Sequence, residues 1–209
     1  AAISNGARNG ILFKGGIHLE HIGNIKLLAG DKTGTLTEGT PVVTDFIVRE
    51  DVATEDALAI LATIEGQSTH PLAQAISRYA KEQEIQLLKD VSIKDIPGHG
   101  IEGTVNSIQY KVGKPDFVVR AEAENFSNGA LNRLAAEGKT VIFIRDDNGI
   151  LALVAMKDTV REEAKKAVSA LKNHGIHVVM LTGDNEYTAN VIAKEAGVSE
   201  YVAECLPET

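Results

Sequence analysis

One cysteine, Cys205, and no tryptophan stand among 209 residues, and aromatics make up only 4%. A single thiol excludes an internal disulfide framework and a cysteine-rich zinc site, and it fits a reducing compartment. Positive charge is in deficit as well: 21 Lys and Arg against 29 Asp and Glu leave a net charge of −8. That balance argues against nucleic acid as a partner. Long apolar runs are missing too. The longest, Ile150 to Met156, is strand-sized and far below the roughly 18 residues of a membrane span. No charged-then-apolar start resembles a signal peptide, so no direct membrane insertion of this stretch is expected. What remains is 44% apolar and 24% charged residues, an ordinary globular ratio that can bury a core.

Apolar periodicity then divides the chain. The run Ile25–Ala29 stops at Gly30 and reads as a short buried strand, and Val42–Val48 as another. Leu58, Leu61 and Ile64 recur at helical spacing, which predicts a helix over 53–65 with Thr54 as N-cap. Pro71 opens a second helix, 71–84, at the position where its missing N–H costs nothing. Strands follow at 91–96, 101–105 and 108–112, the last two joined by a hairpin at Asn106-Ser107. A helix at 131–137 ends at Gly138, and a hairpin at 140–145 and 150–156 turns around Asp147-Asn148-Gly149. Helix 160–173, strand 176–181 and helix 187–196 close the pattern. The last helix–strand–helix belongs to a parallel α/β sheet, and strand 25–29 suits that same sheet. The expectation is one α/β domain interrupted by an inserted α+β domain.

The strongest chemical signal is Asp31-Lys32-Thr33-Gly34-Thr35-Leu36-Thr37. It follows the first strand, and ligands of open α/β sheets bind outside the carboxyl ends of their strands. An aspartate there can attack a phosphoryl group and carry it as an acyl phosphate. Gly34 and the neighbouring N–H groups can wrap phosphate oxygens, with Lys32 adding charge. A polar turn capping a short helix is the plainer alternative. Thr182-Gly183-Asp184 directly follows strand 176–181, which the parallel-sheet reading sets beside Asp31; a turn with Asp184 or Asn185 as N-cap would look the same. His70 precedes an N1 proline, where the helix dipole disfavours the imidazolium, and a neutral ring can bind the edge of a base. Gly98-His99-Gly100-Ile101-Glu102-Gly103 does not open a helix, which argues against a Rossmann dinucleotide site; close backbone approach or a strand bulge both fit.

Taken together, the heptad at Asp31 and the later Thr-Gly-Asp resemble the phosphorylation signatures of P-type ATPases, within the haloacid dehalogenase superfamily. Glu65 with His70-Pro71, then the Gly98/Gly100 pair and Val112-Gly113-Lys114, resemble the nucleotide-binding domain of the heavy-metal-transporting branch. Lys14-Gly15-Gly16 and Leu19-Glu20 look most like its zinc/cadmium/cobalt subgroup. The resemblance implies a Rossmann-like haloacid dehalogenase phosphorylation domain (residues 1–41 and 157–209, truncated) interrupted by an α+β nucleotide-binding domain with an antiparallel sheet (42–156). It implies ATP and Mg²⁺, aspartyl-phosphate formation, and export of a heavy-metal cation across a membrane. The catalytic set would be Asp31, Lys32, Thr33, Thr182, Gly183 and Asp184. Asp31 would be the nucleophile, the Thr33 backbone carbonyl would join Asp31 on Mg²⁺, and the Thr182 hydroxyl would contact the phosphoryl group. The nucleotide set would be Glu65, His70, Gly98, Gly100, Ile101, Gly103 and Gly113. Partners would be the adenine nucleotide and the membrane and actuator domains of the same polypeptide, and the stretch itself a cytoplasmic loop of an integral membrane protein.

Three departures qualify that resemblance. Gly30 replaces a bulky apolar residue before the aspartate, which would loosen the strand end. Lys114 replaces an asparagine. The chain stops at Leu206-Pro207-Glu208-Thr209, before the lysine and the second Mg²⁺ carboxylate that the family supplies, so little turnover is expected of this stretch alone. A superfamily phosphatase is the alternative enzyme, disfavoured because Thr33 stands where such phosphatases carry a second acid. A nucleotide-binding module without turnover is the non-enzymatic alternative. The His18/His21 pair, and Arg161 to Lys166, are expected to form solvated helix faces.

Overall fold

The computed structural model describes residues 2–205, so Leu206-Pro207-Glu208-Thr209 lies outside the described residues. Two short helices, α1 (Ala2–Arg8) and α2 (Gly16–Ile22), come first and bury no residue. His18 and His21 are exposed on α2. The first strand, β1, runs Leu27–Asp31, two residues later than its apolar run suggests. Parallel pairing explains the shift. Leu27 to Asp31 lie in continuous register with His177 to Leu181 of β8 (His177–Leu181), so Gly30 is carried inside the ladder and Asp31 becomes the last strand residue. A three-residue strand too short for a periodicity signal, β9 (Glu200–Val202), pairs parallel with β8 to give the order β1-β8-β9. Helices α8 (Glu162–Asn173) and α9 (Glu186–Ala196) cover this sheet through Val168, Ala189 and Ile192, packed with Val178 and Met180.

The second sheet has six strands, all antiparallel. These are β2 (Val42–Val48), β3 (Val91–Ile96), β4 (Gly100–Val105), β5 (Ile108–Gly113), β6 (Thr140–Asp146) and β7 (Gly149–Lys157), in the order β2-β7-β6-β5-β4-β3. Helices α3 (Thr54–Glu65) and α4 (Pro71–Glu82) pack one face through Leu58, Leu61, Ile64 and Ile76. Helices α5 (Pro115–Val118), α6 (Arg120–Ser127) and α7 (Ala130–Ala136) contribute Val118, Ala123 and Leu134 to the other. Strand β7 is therefore covered on both sides: Ala152, Val154 and Met156 face one cluster, Leu153 and Ala155 the other. That double cover is why its sequence shows no alternation.

Local chemistry fixes the ends of these elements. Asn106 and Ser107 take φ 48° and 68°, the two-residue turn whose twist matches a hairpin. Thr54 does not cap α3; Ala53 sits there without a side-chain bond, and Glu55 and Asp56 in the first turn complement the helix dipole instead. Helices α5 and α6 carried no legible signal, since their polar residues hide a short apolar face.

Two adjacent segments join the sheets. Glu38 N–H donates to Thr159 O at 2.8 Å and Arg161 N–H to Leu36 O at 2.9 Å. Asp158, 8% exposed, accepts from the Thr37 hydroxyl at 2.5 Å and from Gly39 N–H at 3.1 Å. Arg161 is not merely part of a solvated helix face: its Nε donates to Thr37 O at 2.8 Å and Nη2 to Glu38 O at 3.0 Å. Lys165 and Glu162 do pair in solvent, at 2.8 Å.

A Cβ at Gly30 would meet only Leu28 Cδ2, at 3.8 Å, and Gly30 has no positive φ. Gly30→Ala is therefore expected to raise the urea midpoint, by roughly 0.5–1 kcal/mol of stability. A lower midpoint would contradict this reading of the strand end.

Candidate functional site

The parallel register sets Asp31 opposite Leu181, so the loops that leave both strands start side by side. The first loop reverses at once: Thr33 (φ −76°, ψ 120°) and Gly34 (φ 75°, ψ −5°) are the two central residues of a type II turn. Gly34 supplies the positive φ such a turn needs. Thr37 closes the loop, its N–H donating to Lys32 O at 3.0 Å and its hydroxyl accepting from Gly34 N–H at 3.3 Å. In the second loop Asp184 N–H donates to the Thr182 hydroxyl at 3.1 Å. Asn185, not Asp184, caps α9, accepting from Thr188 N–H at 2.9 Å.

Asp184 is thereby free for another task. Its Oδ2 lies 2.5 Å from Lys32 Nζ, both side chains about nine-tenths buried, and its Oδ1 accepts from the Thr140 hydroxyl at 3.0 Å. The six-stranded unit thus reaches this loop, and it does so again where Lys114 Nζ donates to Gly183 O at 2.6 Å. Thr188 Oγ1 donates to Lys139 O at 3.0 Å on the same side.

Between the two units lies a cavity of about 430 Å³, lined by Lys32, Thr33, Thr182, Gly183 and Asp184 from one unit and by Glu65, His70, Gly98, Gly100, Ile101 and Gly113 from the other. Two expected residues are not among its lining. Asp31 is exposed at the loop beside it. Gly103 packs under α3, where a Cβ would come within 2.9 Å of Ile64 Cγ1, and belongs to the wall between sheet and helix. Asp95, Asp158 and Cys205 line the cavity although nothing in their local sequence marked them.

The glycines here serve the backbone first. A Cβ on Gly100 (φ 157°) would sit 2.1 Å from Val112 O, and one on Gly113 2.5 Å from His99 O. Strands β4 and β5 therefore meet at two bare backbones, and only glycine fits either position.

Two titratable side chains at this end, His70 and Glu65, are biased toward their uncharged forms. His70 caps α4, its Nδ1 accepting from Leu72 N–H at 3.2 Å, a bond that requires an unprotonated Nδ1. Desolvation, then the charge of Lys32, hold its pKa below the usual value against the opposing pull of Asp95 and Asp184. Glu65 ends α3 and is 7% exposed. Burial, with Asp95 nearby, pushes its carboxyl up to about 7. Its position at the helix C-terminus works in the same direction. Among the described residues no group of three or more His, Cys, Asp or Glu could hold a metal ion by itself. Hard-oxygen donors do exist at Asp31 and at the Thr33 carbonyl, of the kind Mg²⁺ takes together with substrate phosphates.

Comparison with known proteins fits this arrangement. Residues 25–208 match the family described as haloacid dehalogenase-like hydrolase. The chain is 42% identical over 206 residues to the zinc-transporting ATPase of Bacillus subtilis, covering 99% of this chain and 32% of that protein. It is 44% identical over 204 residues to a copper-exporting P-type ATPase of Staphylococcus epidermidis, covering 97% of this chain and 25% of that protein. Among solved structures, the catalytic domain of the CPx-ATPase CopB-B superposes with a TM-score of 0.77 at 30% identity, over all of this chain and 72% of the other. A zinc-transporting PIB-type ATPase in its E2.Pi state gives 0.62 at 37% identity, over 99% of this chain and 33% of the other. The chain belongs to the haloacid dehalogenase-like hydrolase family, and it spans about a quarter to a third of the length of the curated relatives it matches.

Glu65 gives a pH signature. Its pKa is raised in the fold, so the stability linked to its proton is full below the ordinary value of 4.5 and is lost as pH rises through about 7. Glu65→Gln is therefore expected to melt close to the parent near pH 4.5 and to exceed it at about pH 8, by on the order of 3 kcal/mol at most. A stability difference that does not change with pH would contradict the assignment.

Proposed function

We propose that this chain is the ATP-binding and phosphorylation region of a heavy-metal-exporting P-type ATPase. In this reading residues 1–41 and 157–209 form the phosphorylation domain, and 42–156 the nucleotide-binding insert. The whole would lie in a cytoplasmic loop, working with membrane and actuator domains of the same polypeptide. No helix among the described residues is long and apolar enough to cross a membrane. One observation carries the proposal: the β1/β8 register sets Asp31 opposite the residue before Thr182, at the lip of a cavity whose far wall is the insert.

The base would lie against Glu65, His70, Gly98, Gly100 and Ile101. A protonated Glu65 can donate to a ring nitrogen and accept from an exocyclic amine, and a neutral His70 adds a polar edge without charge. Gly113 lets β5 run close behind. Lys32 and the Thr182 hydroxyl, with the N–H groups around Thr33 and Gly183, would orient the phosphates. Mg²⁺ would be held by the Asp31 carboxylate and the Thr33 carbonyl, and would neutralise charge on the phosphate oxygens.

An Asp31 carboxylate oxygen would attack the γ-phosphorus. The bond from phosphorus to the β,γ-bridging oxygen would break, and ADP would leave with the electron pair. Positioning and charge neutralisation would supply most of the rate. Thr33, standing where a phosphatase would carry a second acid, cannot activate water in the same way, so the acyl phosphate would persist long enough to be coupled to ion movement. The transported ion is proposed only as a heavy-metal cation, since zinc, cadmium and copper all stand among the relatives' names.

Asp31→Asn in the complete polypeptide is expected to abolish acid-stable, hydroxylamine-sensitive labelling from γ-labelled ATP while ATP still binds. Labelling that persists in the variant would exclude Asp31 as the phosphate carrier.

A further inference from the structure

The cavity holds two lysines, one from each unit, and they are differently committed. Lys32 is neutralised by Asp184 at 2.5 Å. Lys114, from the insert, meets no carboxylate among the described residues; its ammonium donates instead to the peptide carbonyl of Gly183, at 2.6 Å. It is half-buried and lines the same cavity as His70. A carbonyl carries no net charge and satisfies one of three ammonium donors. A phosphate chain offers charge-assisted bonds of roughly twice the strength.

Position supports the same conclusion. Lys114 directly follows Gly113, where β4 and β5 approach with no side chain between them, and its N–H donates to His99 O at 3.5 Å. The root of the side chain is thus fixed to the glycine turn while its tip rests on the Thr182-Gly183-Asp184 loop. Lys111, three residues earlier, is engaged elsewhere, near Glu102 and over the Phe117 ring.

We propose that Lys114 is a phosphate-chain residue delivered by the insert, pairing with the outer phosphates of a nucleoside triphosphate and so tying the insert to the Gly183 loop. This rests on the nucleotide-binding reading above, and its signature is affinity that depends on phosphate number. An asparagine at this position could hydrogen-bond a nucleotide but would not respond to its charge.

Calorimetric titration of the chain with ATP, ADP, AMP and adenosine tests it, in the parent and in Lys114→Asn, Lys114→Gln and Lys114→Arg. Loss of a charge-assisted bond is expected to weaken ATP about tenfold in the Asn and Gln variants. Adenosine affinity should stay unchanged, and Lys114→Arg should recover most of the ATP affinity. The parent should also lose ATP affinity with added salt more steeply than Lys114→Gln. Equal weakening of ATP and adenosine, or no weakening of either, would overturn the proposal while leaving the nucleotide site standing. A parent chain that binds none of the four ligands would overturn both.

Discussion

Lys32 and Asp184 lie 152 residues apart in sequence, and their charged atoms sit 2.5 Å apart. The geometry of the two strand-end loops depends on that closure. The pair exists because β1 and β8 run parallel in one register, which brings the ends of both strands to the same edge. Their side chains are 8% and 10% exposed. Removing one partner from such a pair typically costs about 3–5 kcal/mol, because the other charge is left buried and uncompensated. The Asp184 carboxylate is shared with Thr140 of the insert, so one contact fixes the two loops against each other and the insert against both. The buried Asp158, bonded to Thr37 and Gly39, secures the joining segments in the same manner.

The cavity is electrically divided. Around Lys32, Lys114 and Asp184 it is charged; beside Asp95, Glu65 and His70 are biased toward uncharged forms by burial, a helix terminus at each residue and a backbone N–H aimed at the His70 ring. A nucleotide has the same division, with an uncharged base and a polyanionic tail. Complementarity of this kind would place a bound nucleotide in one direction and aim its outer phosphates at the strand ends.

Much of this arrangement was legible in the sequence, and for physical reasons. Parallel strands are short and apolar, and their functional residues follow at the carboxyl end, so Asp31 and Thr182 could be placed from pattern alone. His70 before Pro71 fixed a helix start that the structure keeps, with the ring as cap. What the sequence hid was set by tertiary contact. Strand β1 slides two residues because pairing with β8, not its apolar run, decides its ends. Gly103 looked like part of a glycine-rich binding turn but makes room for Ile64. Arg161 looked like a solvated helix residue, yet it bonds two carbonyls of the joining segment. In each case the deciding partner is more than thirty residues away, beyond the reach of periodicity or turn chemistry.

The central claim is that one nucleotide occupies a cavity built jointly by both units. Proton–nitrogen correlation spectra of the chain, titrated with a non-hydrolysable ATP analogue, test it most directly. The account predicts saturable shifts at the backbone amides of Gly98, Gly100 and Gly113 together with those of Thr182, Gly183 and Asp184, all following one binding curve. Shifts confined to the solvent-facing side of β3–β5, around Lys94, Glu102 and Lys111, or separate curves for the two groups, would contradict it.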